Sequence, residues 1–332
     1  MNKLPTRQLG KNGPQVSSIG LGCMGMSAFY GSSDQGENIK VLNRALDLGC
    51  TFWDTSDMYG AGENEKLLSK VLKNRRNEIF LCTKFGIDYN PETKAFKIRG
   101  DKEFVKQSCD ASLKRLGISC IDLYYQHRVD PNTPIEETVE AMTELIKKGK
   151  IKYLGLSECS AETLRKAYKI HPIAAVQVEY SPWETFIEKN GLLEACRELG
   201  VTVIAYSPLG RGFLTGKLDL TSLDKNDSRV THYPRYNEQN LDHNLQIVNK
   251  LEQIATQKNI KASQLCLSWV LKQGNDIIPI PGTRRIKYLE ENVESGNIKL
   301  SEDENKQIRV LIEQIQVKGD RNTAEALKSV DL

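Results

Sequence analysis

The sequence predicts a (β/α)8 barrel, and three observations predict it. Eight short apolar runs alternate with amphipathic stretches along the chain. Several runs are nearly continuous and β-branched, as strands buried on both faces are. The stretches between them carry helix caps, so strands and helices alternate, which implies parallel pairing and right-handed crossovers. An open doubly wound sheet is the rival. It needs a glycine-rich turn that opens a helix. Gly20-x-Gly22-x-x-Gly25 has that spacing, but residues 26–36 do not continue as a helix.

In order, the predicted strands are residues 19–24, 51–53, 79–83, 121–126, 152–156, 174–178, 201–205 and 276–280. A hairpin precedes them: residues 7–9 and 15–19 flank the turn Lys11-Asn12-Gly13. A helix runs from Asp101, turns Phe104, Val105, Cys109, Leu113 and Leu116 inward, and stops at Gly117. Thr133-Pro134-Ile135-Glu136 reads as a capping box with proline in the first turn. Ile135, Thr138, Val139, Met142, Leu145 and Ile146 then form one face, closed by Lys147, Lys148 and Gly149. Ser160 and Ser301 each begin a further helix, the latter an extra one at the C-terminal end. Residues 85–100 and 210–240 read as long loops after the third and seventh strands, a length that is usually functional or disordered. No repeat or linker divides residues 1–332, so one domain is expected.

Composition narrows the function classes. The chain has 332 residues, 39% hydrophobic and 27% charged, which is globular rather than disordered. Lys and Arg number 46 against 43 Asp and Glu, so no global charge draws the chain to nucleic acid or an acidic membrane. The start lacks the apolar core of a secretory signal, and no stretch reads as a membrane span. Eight scattered cysteines, with no CxxC, point to reduced thiols in a cytoplasmic protein rather than to disulfides or a metal site.

In such a barrel the site lies at the C-terminal ends of the strands. Those ends carry Asp54 and then Tyr59, Lys84, His127, Ser157, Gln177, Tyr206-Ser207, and a segment from Ile280 to Arg285. A lysine cation beside a phenol stabilises the phenolate and lowers its pKa, and a carboxylate keeps the lysine charged. Such a phenol can protonate a developing alkoxide, while histidine holds the same oxygen. No nucleophile or metal is needed. The set suits protonation of a carbonyl oxygen as hydride arrives from a cofactor.

Asp54, Tyr59 (in Asp57-Met58-Tyr59-Gly60), Lys84 and His127 resemble the catalytic tetrad of the aldo-keto reductases. Gly62-Glu63-Asn64-Glu65, Gly155-Leu156-Ser157, Gln177, Tyr206-Ser207-Pro208-Leu209 and Ile280-Pro281-Gly282-Thr283 resemble that family in the same order. Gln126-His127-Arg128 and the segment from Gly210 to Lys217 are most similar to its bacterial, plant and fungal branch of broad aldehyde and ketone reductases. The resemblance implies an NADPH-dependent reductase of small carbonyl compounds. It implies Tyr59 as general acid, Lys84 as its partner, Asp54 as the partner of Lys84, and His127 orienting the carbonyl. For the cofactor it implies Ser157 and Gln177 at the carboxamide and Tyr206 stacked on the nicotinamide. Ser207, Leu209, Gly210 and Gly212 would follow the pyrophosphate. Gly282, Thr283, Arg284 and Lys287 would hold the adenosine end, with Glu291 and Asn292 on the adenine. Three cations, Arg284, Arg285 and Lys287, at a helix start favour the extra phosphate of NADP. Glu158 stands where other branches have asparagine and is left out of this set.

Phe29, Tyr30, Met58 and Trp183 are candidate walls of an apolar substrate pocket or ordinary packing under loops. The two long loops and the polar tail after Val317 are expected to shape the site. Two other functions fit the same barrel. One is a cofactor-binding sensing module resembling channel β-subunits, against which stands the lack of a long N-terminal inactivating segment. The other is a Schiff-base lyase on Lys84, against which stands Asp54, since a paired lysine stays protonated.

Overall fold

The computed structural model describes residues 3–27, 34–90, 92–93, 95–218, 223, 227, 229 and 232–332. Eight parallel strands form the barrel: β1 (Leu21–Gly22), β2 (Phe52–Asp54), β3 (Phe80–Phe85), β4 (Ile121–Gln126), β5 (Ile151–Ser157), β6 (Ala175–Glu179), β7 (Thr202–Tyr206) and β8 (Ile277–Pro279). Each pairs with the next in sequence. All eight fall on the apolar runs.

The last strand meets the first. Gly20 N donates to Pro279 O at 2.9 Å, Gly22 N donates to Pro281 O at 3.2 Å, and Gly22 bridges Gly282. The glycines serve this seam. A Cβ on Gly22 would lie 2.7 Å from the Ile280 carbonyl oxygen, and one on Gly282 would lie 2.8 Å from that of Gly22. The early glycine spacing is therefore a close backbone approach and not a nucleotide turn. Gly22→Ala should cost about 1–3 kcal/mol, because backbone must shift to admit the methyl group. An unchanged denaturant midpoint would contradict that.

Helices α1 (Gln35–Asp47), α2 (Glu63–Arg75), α3 (Lys102–Leu116), α4 (Ile135–Lys147), α5 (Ala161–Ile170) and α6 (Leu192–Leu199) follow the first six strands. Helices α7 (Glu238–Gln257) and α8 (Ala262–Lys272) lie between β7 and β8, and α9 (Ile286–Glu294) follows β8. Helices α10 (Glu302–Gln314) and α11 (Ala324–Leu327) lie in the C-terminal segment. Side-chain caps explain several of the starts. Asp101 accepts from Phe104 N, Ser160 accepts from Thr163 N, and Ser301 and Glu304 form a reciprocal box. Gly117 ends α3 at φ 68°, where a side chain would be strained. The box expected at Thr133 does not form. Thr133 Oγ1 donates to Asp130 Oδ2 at 2.8 Å instead, and Pro134 takes the cap position. The helix begins at Ile135, so Thr133 lies one residue before the cap position, with its hydroxyl turned to Asp130.

The hairpin pairs Thr6–Gln8 with Gln15–Ser17. The loop after β3 is not simply a loop: Ile87–Tyr89 and Phe96–Ile98 form a second hairpin. The segment after β7 holds short 3-10 turns at Gly210–Thr215 and Pro234–Tyr236.

Side-chain alternation creates two cores. Phe52, Cys82, Leu123, Tyr125, Ala175, Ile204 and Ile278 fill the barrel, with Leu9 and Val16 of the hairpin end packed against them. Trp53, Leu81, Tyr124, Leu154 and Val176 face the helices instead. The inward parity has a consequence at the other end. It carries Asp54, Lys84, Ser157, Gln177 and Tyr206 to the inner side of the strand C-termini.

Candidate active site

These strand ends converge. Lys84 is fully buried, and its Nζ donates to Asp54 Oδ1 at 2.5 Å, to Thr55 O at 2.8 Å and to the Tyr59 hydroxyl oxygen at 3.2 Å. Three acceptors use all three ammonium donors. Gln177 Nε2 donates to Asp54 Oδ2 at 2.7 Å, so both carboxylate oxygens are held. Burial lowers the pKa of Lys84, but Asp54 and Tyr59 outweigh it and leave the value above that of ordinary lysine. The ammonium stays charged.

Tyr59 differs from the simple expectation. Its pKa is raised above 10, because burial outweighs the Lys84 cation that pulls it down. The lysine lowers the phenol relative to an equally buried one, and not below a free tyrosine. His127 lies edge-on to the Tyr59 ring, with centroids 5.9 Å apart and planes at 85°. Burial, then Lys84 and Arg128, hold its pKa well below 6.5, so the imidazole is neutral. Its Nδ1 lies 3.2 Å from Ser56 Oγ.

A cavity of about 870 Å³ opens from Asp54, Tyr59 and His127. It passes Ser157, Gln177, Tyr206, Ser207, Leu209 and Gly212 and reaches Gly282, Thr283, Arg284, Glu291 and Asn292. Three predicted residues are off its wall. Lys84 lies behind the tyrosine and aspartate. Gly210 is buried, where a Cβ would lie 2.7 Å from the Trp183 ring. Lys287 is exposed on α9 and faces elsewhere. The turn after β7 is shaped for backbone approach, with positive φ at Ser207, Gly210, Arg211 and Gly212. Lys217, Arg229, Arg284 and Arg285 make the far end basic. This length, with a polar backbone turn and cations at one end, fits a phosphate-bearing dinucleotide. A second depression of about 960 Å³, near Thr51, Ile79 and Lys152, lies at the opposite strand ends and meets none of these groups.

Met58 lines the cavity, as do Ile87 from the second hairpin and Asn322 from the tail. Trp183 packs elsewhere. It stacks on Phe213 at 4.3 Å and meets Tyr236 edge-on, under the loop after β7. Phe29 and Tyr30 lie outside the described residues.

Sequence reasoning set Glu158 aside, yet it is buried beside the site. Its carboxylate accepts from Arg321 Nη1 at 2.9 Å and Nη2 at 2.6 Å, and from the Tyr206 hydroxyl at 2.7 Å. Burial alone would raise its pKa, but Arg321, Arg128 and Tyr206 hold it at about 2. The tail is fixed there by its backbone too. Asp331 N donates to Glu158 O, and Ser160 N donates to Leu332 O, both at 2.8 Å. Arg211 pairs in the same way with Glu179, at 2.8 and 3.0 Å.

Among the described residues, no cluster of three His, Cys, Asp or Glu side chains could hold a metal ion. No described helix is long and apolar enough to cross a membrane.

Known proteins share this plan. The aldo/keto reductase family model matches residues 18–313. The aldo-keto reductase yakc of Schizosaccharomyces pombe, whose name carries NADP(+), is 49% identical over 322 residues, which cover 96% of this chain and 94% of that protein. The aldo-keto reductase str7 of Strobilurus tenacellus is 51% identical, with 99% of this chain and 98% of that protein covered. Among solved structures, a glycerol dehydrogenase from Gluconobacter oxydans superposes with a TM-score of 0.85 at 25% identity, over 94% of this chain and 96% of its own. With eight strands in this order and a family match over nearly the whole barrel, the chain belongs to the aldo/keto reductase family.

Proposed function

We propose that this protein reduces aldehydes and ketones to alcohols with NADPH, and that Tyr59 is the proton donor. The observation that carries the reading is the Asp54–Lys84–Tyr59 chain of hydrogen bonds, placed at the wall of the long cavity. NADPH, when bound, supplies the hydride. Tyr59 keeps its proton at neutral pH and gives it to the alkoxide oxygen as that charge develops. Lys84 then faces the phenolate at one hydrogen bond and stabilises it. Asp54 keeps Lys84 charged, and Gln177 keeps Asp54 in place. His127, neutral and on the same wall, orients the carbonyl oxygen.

The residues that would hold the cofactor follow the cavity. Ser157 and Gln177 would meet the carboxamide, and Tyr206 the ring. Ser207, Leu209 and Gly212 would follow the pyrophosphate, with Gly210 shaping the turn from below. Gly282, Thr283 and Arg284 would take the adenosine end, with Glu291 and Asn292 on the adenine. Lys287, exposed on α9, would act only at long range. We also read residues 1–332 as one domain, and its eight free thiols favour a cytoplasmic setting.

The test is NADPH consumption, followed by absorbance, with a panel of aromatic and aliphatic aldehydes and ketones. Turnover with at least one carbonyl is expected. The Arg284→Ala variant checks the cofactor. Its NADPH affinity should fall by on the order of tenfold, about one charge-assisted hydrogen bond, with a smaller loss for NADH. Equal losses for the two would remove Arg284 from the phosphate site.

A further inference from the structure

Ser56 Oγ stands between a carboxyl group and an imidazole. It lies 3.1 Å from Asp57 Oδ1 and 3.2 Å from His127 Nδ1, and it accepts from Met58 N at 3.4 Å. A serine hydroxyl has one proton to give. With Met58 on one lone pair, Ser56 can donate to one of its two partners and must accept from the other.

With the Asp57 proton, where present, on the Oδ1 that faces Ser56, two arrangements satisfy Ser56 Oγ and His127 Nδ1. In the first, Asp57 is protonated and donates to Ser56, Ser56 donates to Nδ1, and the imidazole proton sits on Nε2. In the second, Asp57 is a carboxylate, Ser56 donates to it, Nδ1 donates to Ser56, and Nε2 is bare. One proton separates them. Passing from the first to the second, Nε2 releases its proton to the cavity, Ser56 passes its proton to Nδ1, and Asp57 passes its own to Ser56.

We propose that Asp57, acting through Ser56, is a positioning residue that sets which nitrogen of His127 carries the proton. With Asp57 protonated, His127 offers an N–H donor, which a carbonyl oxygen accepts. With Asp57 ionised, it offers a bare nitrogen, which the hydroxyl of an alcohol can donate to. The histidine thus favours carbonyl substrates on the acid side and alcohol substrates on the alkaline side. This consequence for substrates rests on the reductase reading, whereas the tautomer exchange does not.

The surroundings place the exchange near neutrality. Burial raises the Asp57 carboxyl most, the Glu65 carboxylate on α2 raises it further, and Ser56, Arg115 and Met58 N pull it back, to about 7. Glu65 accepts from Thr83 Oγ1 at 2.7 Å and from Arg115 Nε at 2.6 Å. Tyr124 of β4 also faces Asp57 and is far from ionising. On the other side, burial, then Lys84 and Arg128, keep His127 from taking a second proton, so it changes tautomer rather than charge.

Nitrogen-15 histidine NMR on the full chain tests this, with and without NADP+. The four histidines are separated by assigning His127 through its loss in a His127→Gln variant. The two ring nitrogens of His127 should exchange their protonated and bare signatures between about pH 6 and pH 8, as a group titrating near neutrality dictates. Asp57→Asn should show one tautomer throughout, and Ser56→Ala should likewise lose the exchange. A single wild-type tautomer across that range, or an exchange that persists in Asp57→Asn, overturns the proposal. In turnover, wild-type kcat for reduction should fall about tenfold across the same range relative to Asp57→Asn. Parallel profiles for the two enzymes would also overturn it. An exchange seen by NMR in a protein that reduces no carbonyl would sink the reductase reading and leave the relay standing.

Discussion

Tyr59→Phe should lower kcat by about 10²- to 10⁴-fold, the range for removing a positioned general acid. The change deletes one oxygen, and the ring remains packed edge-on to His127. NADPH affinity should be nearly unchanged, because the hydroxyl's polar partner is Lys84. Stability should fall by about 1–3 kcal/mol, the cost of a buried donor left without its partner. Lys84 keeps Asp54 and Thr55 O as acceptors, so one buried donor loses its partner and not the charge pair. A variant that keeps wild-type kcat would show that the proton comes from elsewhere. A variant that loses cofactor binding together with kcat would show that the loss is structural.

Arg321→Ala should destabilise the fold by about 3–5 kcal/mol, the cost of leaving a buried charge without its partner. Glu158 is only 3% exposed, and Arg321 is its bidentate partner. Glu158 also lies at φ 53°, so the arginine holds a strained corner in place. The pH dependence follows from the depressed carboxyl. Held at about 2 against 4.5, the group stabilises the fold above about pH 4.5, and that contribution fades as pH falls toward 2. In Arg321→Ala this acid-side loss should shrink, because the lone carboxyl no longer holds a depressed pKa. Denaturant midpoints of both proteins at pH 7 and pH 3 check it. Equal shifts at both pH values would mean that the pair does not set the acid response. The same variant should loosen the cavity wall at Tyr206, where we propose that the nicotinamide binds, since Arg321 and Glu158 both meet the Tyr206 hydroxyl.

What could be read in advance depended on how local the cause was. The strands were legible because burial on both faces leaves nearly continuous apolar runs, and β4 matches its run at both ends. The helix starts at Asp101, Ser160 and Ser301 were legible because a cap acts within four residues. The hairpin after β3 was not, because each strand is only three residues long, too short for the alternation of Ile87-Asp88-Tyr89 and Phe96-Lys97-Ile98 to stand out. The Thr133 cap failed because the helix begins one residue later than expected, with Pro134 at the cap and the Thr133 hydroxyl turned to Asp130. Asp54, Lys84, Tyr59 and His127 could be placed because strand parity and strand ends are both local features. Glu158 and Arg321 could not be joined, being 163 positions apart in sequence. The position of Ser56 between Asp57 and His127 was equally hidden, since it needs the register of β2 against β4 through β3.

The most direct test of the account is product stoichiometry. Wild-type protein, NADPH and an accepted aldehyde are mixed, and the alcohol formed is measured against the NADPH consumed. The account predicts one alcohol per NADPH, with both vanishing together in Tyr59→Phe. Tight NADPH binding with no alcohol formed from any carbonyl would contradict it and leave a cofactor-binding barrel that does not reduce carbonyls.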